Sequence, residues 1–164
     1  MSLAAFNALE PQAAAELIRP CVDSDGWVTA VVAGRPYSSV DDALAAAETA
    51  AAGWVEADLD QALAHHPRIG DRAAGTNSEA TMSRSEQAGV GLNSVTSSQM
   101  LAGNREYEQR FGRVFLIRAA GRSAAEILAE LDRRLGNSPD QETGEAIEQL
   151  RQIALLRLRG VIEQ

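Results

Sequence analysis

The stretch that most clearly decides the fold is "SSVDDALAAAETAAAGW", residues 38 to 54. Ser39 is typical of a helix N-cap, because its side-chain oxygen can accept hydrogen bonds from the backbone N–H groups of the first turn. Asp41 and Asp42 follow in that turn, where the helix dipole favours negative charge. The stretch therefore predicts an alanine-rich helix that stops near Gly53.

Helix signals continue on both sides of this stretch. Earlier in the chain, "LEPQAAAELIRP" has proline in a first turn and apolar residues at helical spacing. Further helices are predicted in "VEADLDQALAHH", ended by Pro67, in "NSVTSSQMLAGNREYEQRFG", ended at Gly112, and after the capping-box patterns Ser123 to Glu126 and Ser138 to Gln141. Only "WVTAVVAG" and "VFLI" resemble strands, and two isolated runs do not make a sheet. We predict an all-α fold, a single-domain multi-helix bundle.

Length and composition limit the class of protein. The chain has 164 residues, enough for one domain with a core, so we expect a single domain over residues 1–164. Hydrophobic residues make up 45% of the chain, yet no apolar run approaches the roughly 20 residues that span a bilayer. The N-terminus lacks the features of a signal peptide. The single cysteine, Cys21, excludes an internal disulfide and a thiolate zinc cluster. We expect a cytoplasmic protein without a membrane partner.

The charge of the chain argues against nucleic acid as a partner. The formal net charge is -8, and the 15 basic residues, all of them arginines, form no basic stripe. A small anionic molecule could still be bound where a few arginines overcome the negative field inside a pocket.

Both histidines, His65 and His66, stand side by side before Pro67. Neighbouring helical side chains point about 100° apart, so the pair cannot form a two-histidine metal site of the i, i+4 kind. Either both are surface residues at the carbonyl end of a helix, where a cation is favoured, or one of them takes part in catalysis. His66 is favoured over His65 for a catalytic role, because Pro67 moves the backbone of the residue before it out of the helical region. A fixed imidazole beside a loop suits proton transfer near neutral pH.

The segment "SRSEQ" also allows two interpretations. Ser83 and Glu86 are spaced as a capping box, which on pattern alone is favoured over catalysis. Between His66 and Ser83, however, the chain carries a cluster of residues typical of loops: Gly70, Gly75, Thr76, Asn77 and Ser78. A long irregular loop kept in a compact helical domain is usually functional. We therefore predict one long irregular active-site loop.

Three motifs together resemble the 2-oxo-4-hydroxy-4-carboxy-5-ureidoimidazoline (OHCU) decarboxylase family. They are "HPRIG" from His66, "SRSEQ" with Glu86 twenty residues after His66, and "NREYEQRFGRVFLI" from Asn104 to Ile117. The opening "FNAL" and the closing "IALLRLRGVI" match as well, so the resemblance spans almost the whole chain. One motif alone would be a weak signal, but the joint match in order and spacing is specific.

The resemblance implies an all-helical decarboxylase that uses neither cofactor nor metal and acts on a small-molecule ureidoimidazoline. Members are often dimeric, so a homodimer is one expected assembly. His66 and Glu86 correspond to the catalytic residues of the family. Pro67, Ser83 and the backbone near Ile117 are the expected substrate contacts. Arg118 departs from the smaller or less polar residue expected after Ile117.

A substrate-binding arginine of the family lies near the end of the last helix, where Arg157 and Arg159 compete. The apolar stripe of that helix is predicted to comprise Ile147, Leu150, Ala154, Leu158 and Val161. At 100° per residue, Arg157 falls about 50° from the centre of the stripe, whereas Arg159 lies nearly opposite. We predict that Arg157 reaches inward and anchors the substrate. The alternative for Arg157 is an aliphatic stem lying along the core edge.

Two other classes of function stay open at this point. A non-catalytic helical interaction module would have a closed space beside His66 where an enzyme needs a hollow one. A metal-dependent hydrolase is the weakest candidate, because Asp71, Glu79 and Glu86 show no ligand spacing with His66.

Overall fold

The protein is all-α, as predicted. Its structure, a computed structural model, describes residues 1–64, 66, 68–69, 78–91 and 93–164. Within these ranges there are nine α-helices and no strand beyond one isolated bridge between Ser2 and Glu163. The helices are α1 Leu3–Ala8, α2 Pro11–Ile18, α3 Asp25–Ala33, α4 Val40–Ala51, α5 Glu56–Leu63, α6 Ser78–Gln87, α7 Ser94–Phe111, α8 Ala124–Leu135 and α9 Pro139–Ile162. The predicted active-site loop falls mostly on residues 70–77, which lie outside the described residues.

Most of the predicted helix ends are confirmed. The Ser39 hydroxyl accepts a hydrogen bond from the N–H of Asp42 at 3.1 Å. Gly112 closes α7 in the left-handed conformation, with φ of 71°, which glycine adopts without steric cost. Ser138 and Gln141 form a reciprocal pair, because each side chain accepts a hydrogen bond from the backbone N–H of the other.

One local prediction was wrong, and one strand-like run is helical. The helix that was expected to run to His66 ends at Leu63. The strand-like run "WVTAVVAG" lies almost entirely inside α3, which begins after the Ser24 cap. Trp27, Val28 and Val31 are buried there, so burial of one helix face outweighs the preference of β-branched residues for strands. The other run, "VFLI", has no regular secondary structure and is not paired into a sheet with any described residue.

The chain divides into two compact units, and the prediction of a single domain stays a prediction. The first unit comprises Met1–Ala62 and Arg151–Gln164. Within it, α3 packs against α2 and α4, and the Trp27 indole N–H donates to the Ala47 carbonyl at 3.0 Å. The small buried residues Ala43, Ala47 and Ala51 form one face of α4. The backbone of α3 can approach that face closely.

The second unit, Leu63–Leu150, is built on the pair α7 and α8. Gly103 lies where the two helices meet, and a Cβ atom added there would overlap the Leu131 side chain. The core of this unit is a hydrophobic cluster of Ile69, Val90, Met100, Tyr107, Phe115, Ile117, Ala119, Ala124, Ile127 and Leu131. The Tyr107 ring packs edge-on against Phe115, with ring centroids 5.1 Å apart.

Within the described ranges, none of the helices combines the length and the apolar character needed to cross a bilayer.

Candidate active site

His66 lies three residues after the end of α5 and is not helical. Its backbone N–H donates to the carbonyl of Leu63, the last residue of that helix, at 3.2 Å. The residue is half-buried. The neighbours His65 and Pro67, including the predicted substrate contact at Pro67, lie outside the described residues. This hydrogen bond therefore fixes the position of the His66 backbone relative to the end of α5.

The residues that follow His66 are held by α7. The Asn104 side chain donates through Nδ2 to the Ile69 carbonyl at 2.8 Å. One turn later, the Glu108 carboxylate accepts from Nε and Nη2 of Arg68. The Ile69 side chain is buried in the hydrophobic cluster of the second unit, which also contains Ile117. The motifs "HPRIG" and "NREYEQRFGRVFLI" are thus brought together at this core.

Ser83 and Glu86 lie within α6, and the capping-box interpretation is wrong. The helix begins at Ser78, so Ser83 is an interior residue that cannot cap the N-terminus. Ser83 is only 3% exposed, and Glu86 is half-buried. Residues three apart lie on the same side of a helix. A hydroxyl and a carboxylate therefore share one partly buried helix side, which is an unusual place for a charge without a function.

The non-helical segment around Ile117 is fixed by side chains on both sides. The Arg134 guanidinium donates to the Leu116 carbonyl at 2.7 Å, and the Arg118 N–H donates to Oε1 of Gln149 at 2.9 Å. Ile117 itself is buried, and its own N–H and C=O have no hydrogen-bond partner among the described residues. Buried backbone groups are nearly always paired. Ile117 therefore presents one donor and one acceptor in a fixed place.

A buried ion pair supports this segment. Arg134 and Glu142 are 1% and 0% exposed, and both Nε and Nη2 of Arg134 donate to Oε1 of Glu142, at 2.8 and 2.5 Å. The Tyr107 hydroxyl donates to the same oxygen at 2.5 Å. Burial, followed by this hydrogen bond to Glu142, raises the pKa of Tyr107 well above its usual range. The phenol stays protonated and continues to donate.

Arg157 and Arg159 differ as the helical wheel predicted. Arg157 is 5% exposed, and its Nη1 donates to the carbonyl of Pro20 at 3.3 Å within the first unit. The Arg159 side chain is 42% exposed and pairs with Asp41 at 3.1 Å and with Glu163 at 3.3 Å. The inward direction of Arg157 is confirmed, and its role as the anchor stays a prediction. Ile162, not Val161, completes the buried stripe.

The described residues contain no cluster of three or more histidine, cysteine, aspartate or glutamate side chains suited to a metal ion. A surface groove of about 660 Å³ lies in the first unit, beside Asn7, Pro11 and Arg35, but no predicted site residue lines it.

A family comparison agrees with the sequence resemblance. The family model described as OHCU decarboxylase matches residues 7–159. The chain belongs to the OHCU decarboxylase family. A relative from Amia calva, named 2-oxo-4-hydroxy-4-carboxy-5-ureidoimidazoline decarboxylase, is 33% identical over 137 residues, 82% of this chain and 78% of the relative. A relative of the same name from Haloferax volcanii is 28% identical over 162 residues, 96% of this chain and 94% of the relative.

Solved structures share the fold of this OHCU decarboxylase family member. One, a crystal structure of OHCU decarboxylase in the presence of (S)-allantoin, superposes with a TM-score of 0.71 at 22% identity, over 95% of this chain and all of that one. A crystal structure of (S)-allantoin synthase gives a TM-score of 0.72 at 17% identity, over 99% of this chain and 54% of that one. The all-helical architecture is therefore that of the family.

Sequence reasoning assigned no role to three of the buried polar residues of the second unit. Asn104, Arg134 and Glu142 are at most 2% exposed. Each contacts a partner distant in sequence, and no periodicity predicts such a contact. One signal was available, because Asn104 and Glu108 are spaced i, i+4 within a motif that resembles the family.

Proposed function

We propose that the chain decarboxylates 2-oxo-4-hydroxy-4-carboxy-5-ureidoimidazoline to (S)-allantoin in urate degradation. The observation that carries the proposal is the family match over residues 7–159, which contains His66 and Glu86 at the spacing of the family's catalytic motifs. The relatives from Amia calva and Haloferax volcanii bear the name of this activity.

The reaction sets modest chemical demands on the protein. The bond between the tertiary carbon and the carboxylate breaks, carbon dioxide leaves, and the conjugated ring beside that carbon accepts the electron pair. The substrate thus carries its own electron sink. The ring nitrogen that receives the electron pair takes up a proton. The hydroxyl of the tertiary carbon then gives up its proton to become a carbonyl, while a proton adds to one face of the neighbouring ring carbon that bears the ureido group. The protein therefore has to supply charge placement and one stereospecific proton transfer.

His66 and Glu86 are assigned the central roles. His66 exchanges a proton with the substrate hydroxyl or ring, which suits an imidazole because its ordinary pKa lies near neutrality. Glu86 orients the ring by accepting hydrogen bonds from its N–H groups. Their placement supports these roles, since His66 is half-buried just after α5 and Glu86 is half-buried within α6 of the same unit.

The remaining contacts bind and orient the substrate. Ile117 offers its N–H and C=O, which have no other partner among the described residues. Ser83 donates to the ureido end from its buried position on α6, and Pro67, next to His66 in the sequence, is a further substrate contact that the family resemblance implies. Arg157 binds an anionic or carbonyl oxygen through the two parallel donors of its guanidinium. In a chain of net charge -8, a buried guanidinium is the natural anchor for an anion.

A spectroscopic rate measurement tests the proposal. Urate oxidase and hydroxyisourate hydrolase generate the substrate in the cuvette, where it decays slowly without further catalysis. Adding this protein is expected to accelerate the loss of substrate absorbance in proportion to its concentration. An unchanged decay rate with folded protein would overturn the proposal.

Two further expectations go with this function. We propose that the protein works in the cytoplasm and forms a homodimer, as is common in the family. Sedimentation equilibrium of the purified chain distinguishes one copy from two.

A further inference from the structure

We propose that Asn104 and Glu108 are positioning residues. They hold the backbone at Arg68 and Ile69, here called with His66 the His66 segment, in its working geometry. This inference rests on the proposed function, because it assigns a task to the segment that carries the proton-exchanging histidine. Neither residue is assigned a contact with the substrate. The two act from α7 on residues 68 and 69, which follow His66 closely in the chain.

Asn104 makes the stronger of the two contacts. The side chain is 2% exposed, and its Nδ2 lies 2.8 Å from the carbonyl oxygen of Ile69, a residue distant in sequence. The Ile69 side chain is itself buried in the hydrophobic cluster of the second unit. Ile69 is therefore fixed through its side chain and through its carbonyl. Leaving that buried carbonyl without a donor would cost the desolvation of the group.

Glu108 makes a second contact one helical turn after Asn104. Its two carboxylate oxygens accept from Nε and Nη2 of Arg68, a paired arrangement that fixes the orientation of the guanidinium. The Arg68 side chain is 49% exposed and that of Glu108 is 25% exposed. Solvent weakens ion pairs at this level of exposure, so Glu108 is expected to contribute less than Asn104.

Together these contacts fix the segment at both ends. Upstream, the N–H of His66 donates to the Leu63 carbonyl at the end of α5. Downstream, α7 holds Arg68 and Ile69. The imidazole projects from a backbone with an anchor on each side. A misplacement of about 1 Å can cost a catalytic group roughly 100-fold in rate, so anchoring of this kind has a direct catalytic use.

The kinetic test compares variants on one helix. Asn104→Asp puts an acceptor opposite the Ile69 carbonyl, and Asn104→Ser removes the direct bond without adding charge. We expect both to lower kcat by about 10- to 100-fold with little change in KM, since substrate contacts are kept. Glu108→Gln is expected to lower kcat only a few-fold. Glu106→Gln removes the same charge from an exposed site of α7 and is the matched control, with wild-type kcat.

A second measurement, NMR of the His66 imidazole, does not depend on catalytic activity. In a His65→Asn background the His66 imidazole is the only one in the chain, so its NMR signals can be followed without ambiguity. We expect Asn104→Ser to shift and broaden the imidazole signals of His66, and Glu106→Gln to leave them unchanged. A wild-type chain without activity would contradict the proposed function but leave this measurement intact.

The outcomes separate the positioning role from a purely structural one. If Asn104→Asp does not fold, Asn104→Ser and Glu108→Gln carry the test. A loss of kcat together with altered His66 signals, in variants with a wild-type far-UV spectrum, supports the proposal. Folded variants with wild-type kcat and unaltered His66 signals would overturn it, and so would a lower melting temperature as the only change.

Discussion

At the residue scale, the two adjacent histidines are expected to differ sharply. His66→Asn keeps the size and some hydrogen bonding of the side chain but removes proton exchange. Turnover should fall by roughly 10²- to 10⁴-fold, the range attributed to a general acid or base. His65→Asn is the matched control and should change the steady-state rate far less. Equally mild effects of the two substitutions would refute the assignment of His66.

Glu86 offers a test in which charge is removed and shape is kept. Because α6 begins at Ser78, Glu86 cannot complete a cap with Ser83, and no capping function hides a loss of activity. Glu86→Gln should lower kcat/KM strongly at an unchanged melting temperature, since an amide cannot replace both carboxylate oxygens as acceptors. Steady-state kinetics and thermal melts of the same sample check this. A fully active Glu86→Gln protein would remove the carboxylate from the mechanism.

Arg157 and Arg159 form a second matched pair. Arg157→Lys keeps the positive charge but replaces a planar fork of donors by a point charge, so substrate affinity and rate should fall together. Arg159 faces solvent and pairs with Asp41 and Glu163, so Arg159→Lys should be nearly silent. Both variants are compared at one salt concentration. The reverse pattern would contradict the choice of anchor.

The sequence predicted individual residues well where one helix decides their environment. Arg157 was placed inward from the apolar stripe of α9 alone, and its burial confirms that placement. The capping-box interpretation of Ser83 and Glu86 was wrong, because that local pattern occurs at helix starts and in helix interiors alike. Only the position of the true start, Ser78, distinguishes the two cases.

At the scale of elements, helix caps were easier to predict from the sequence than whether a buried apolar segment is helical. Ser39 and Gly112 carry local chemistry that determines where a helix begins or ends, and both predictions hold. The run in α3 is rich in β-branched residues, and its helical state depends on packing against α2 and α4. The contact of Asn104 with Ile69 joins elements that are distant in sequence, which no local pattern reveals.

The contact between α7 and α8 can be tested with a pair of glycines. Alanine normally stabilises a helix interior over glycine by about 0.5–1 kcal/mol. At Gly103 the added Cβ would overlap the side chain of Leu131, which is 1% exposed and would have to shift within a packed core, so Gly103→Ala should destabilise the protein by about 1–3 kcal/mol. Gly144→Ala, in an open position on α9, is the control and should stabilise. Urea unfolding measures both, and a stabilised Gly103→Ala protein would disprove the close contact.

At the scale of the whole molecule, the fold class followed from composition and periodicity. Capped, alanine-rich segments follow one another along the chain, and too few strand signals remain to build a sheet. The buried ion pair of Arg134 and Glu142 could not be predicted in this way. Charged residues are rarely buried unless they are paired, and their pairing is decided only when α8 and the start of α9 meet in the second unit.

The stereochemistry of the product tests the central claim most directly. Freshly generated substrate decays without a catalyst to racemic allantoin, so its product shows no circular dichroism. With this protein present, protonation on one face should give (S)-allantoin and a signal of one sign that grows as the substrate absorbance falls. The same experiment with His66→Asn should give little signal. A product that stays optically inactive in the presence of the folded wild-type chain would contradict the assignment of this protein as a stereospecific decarboxylase.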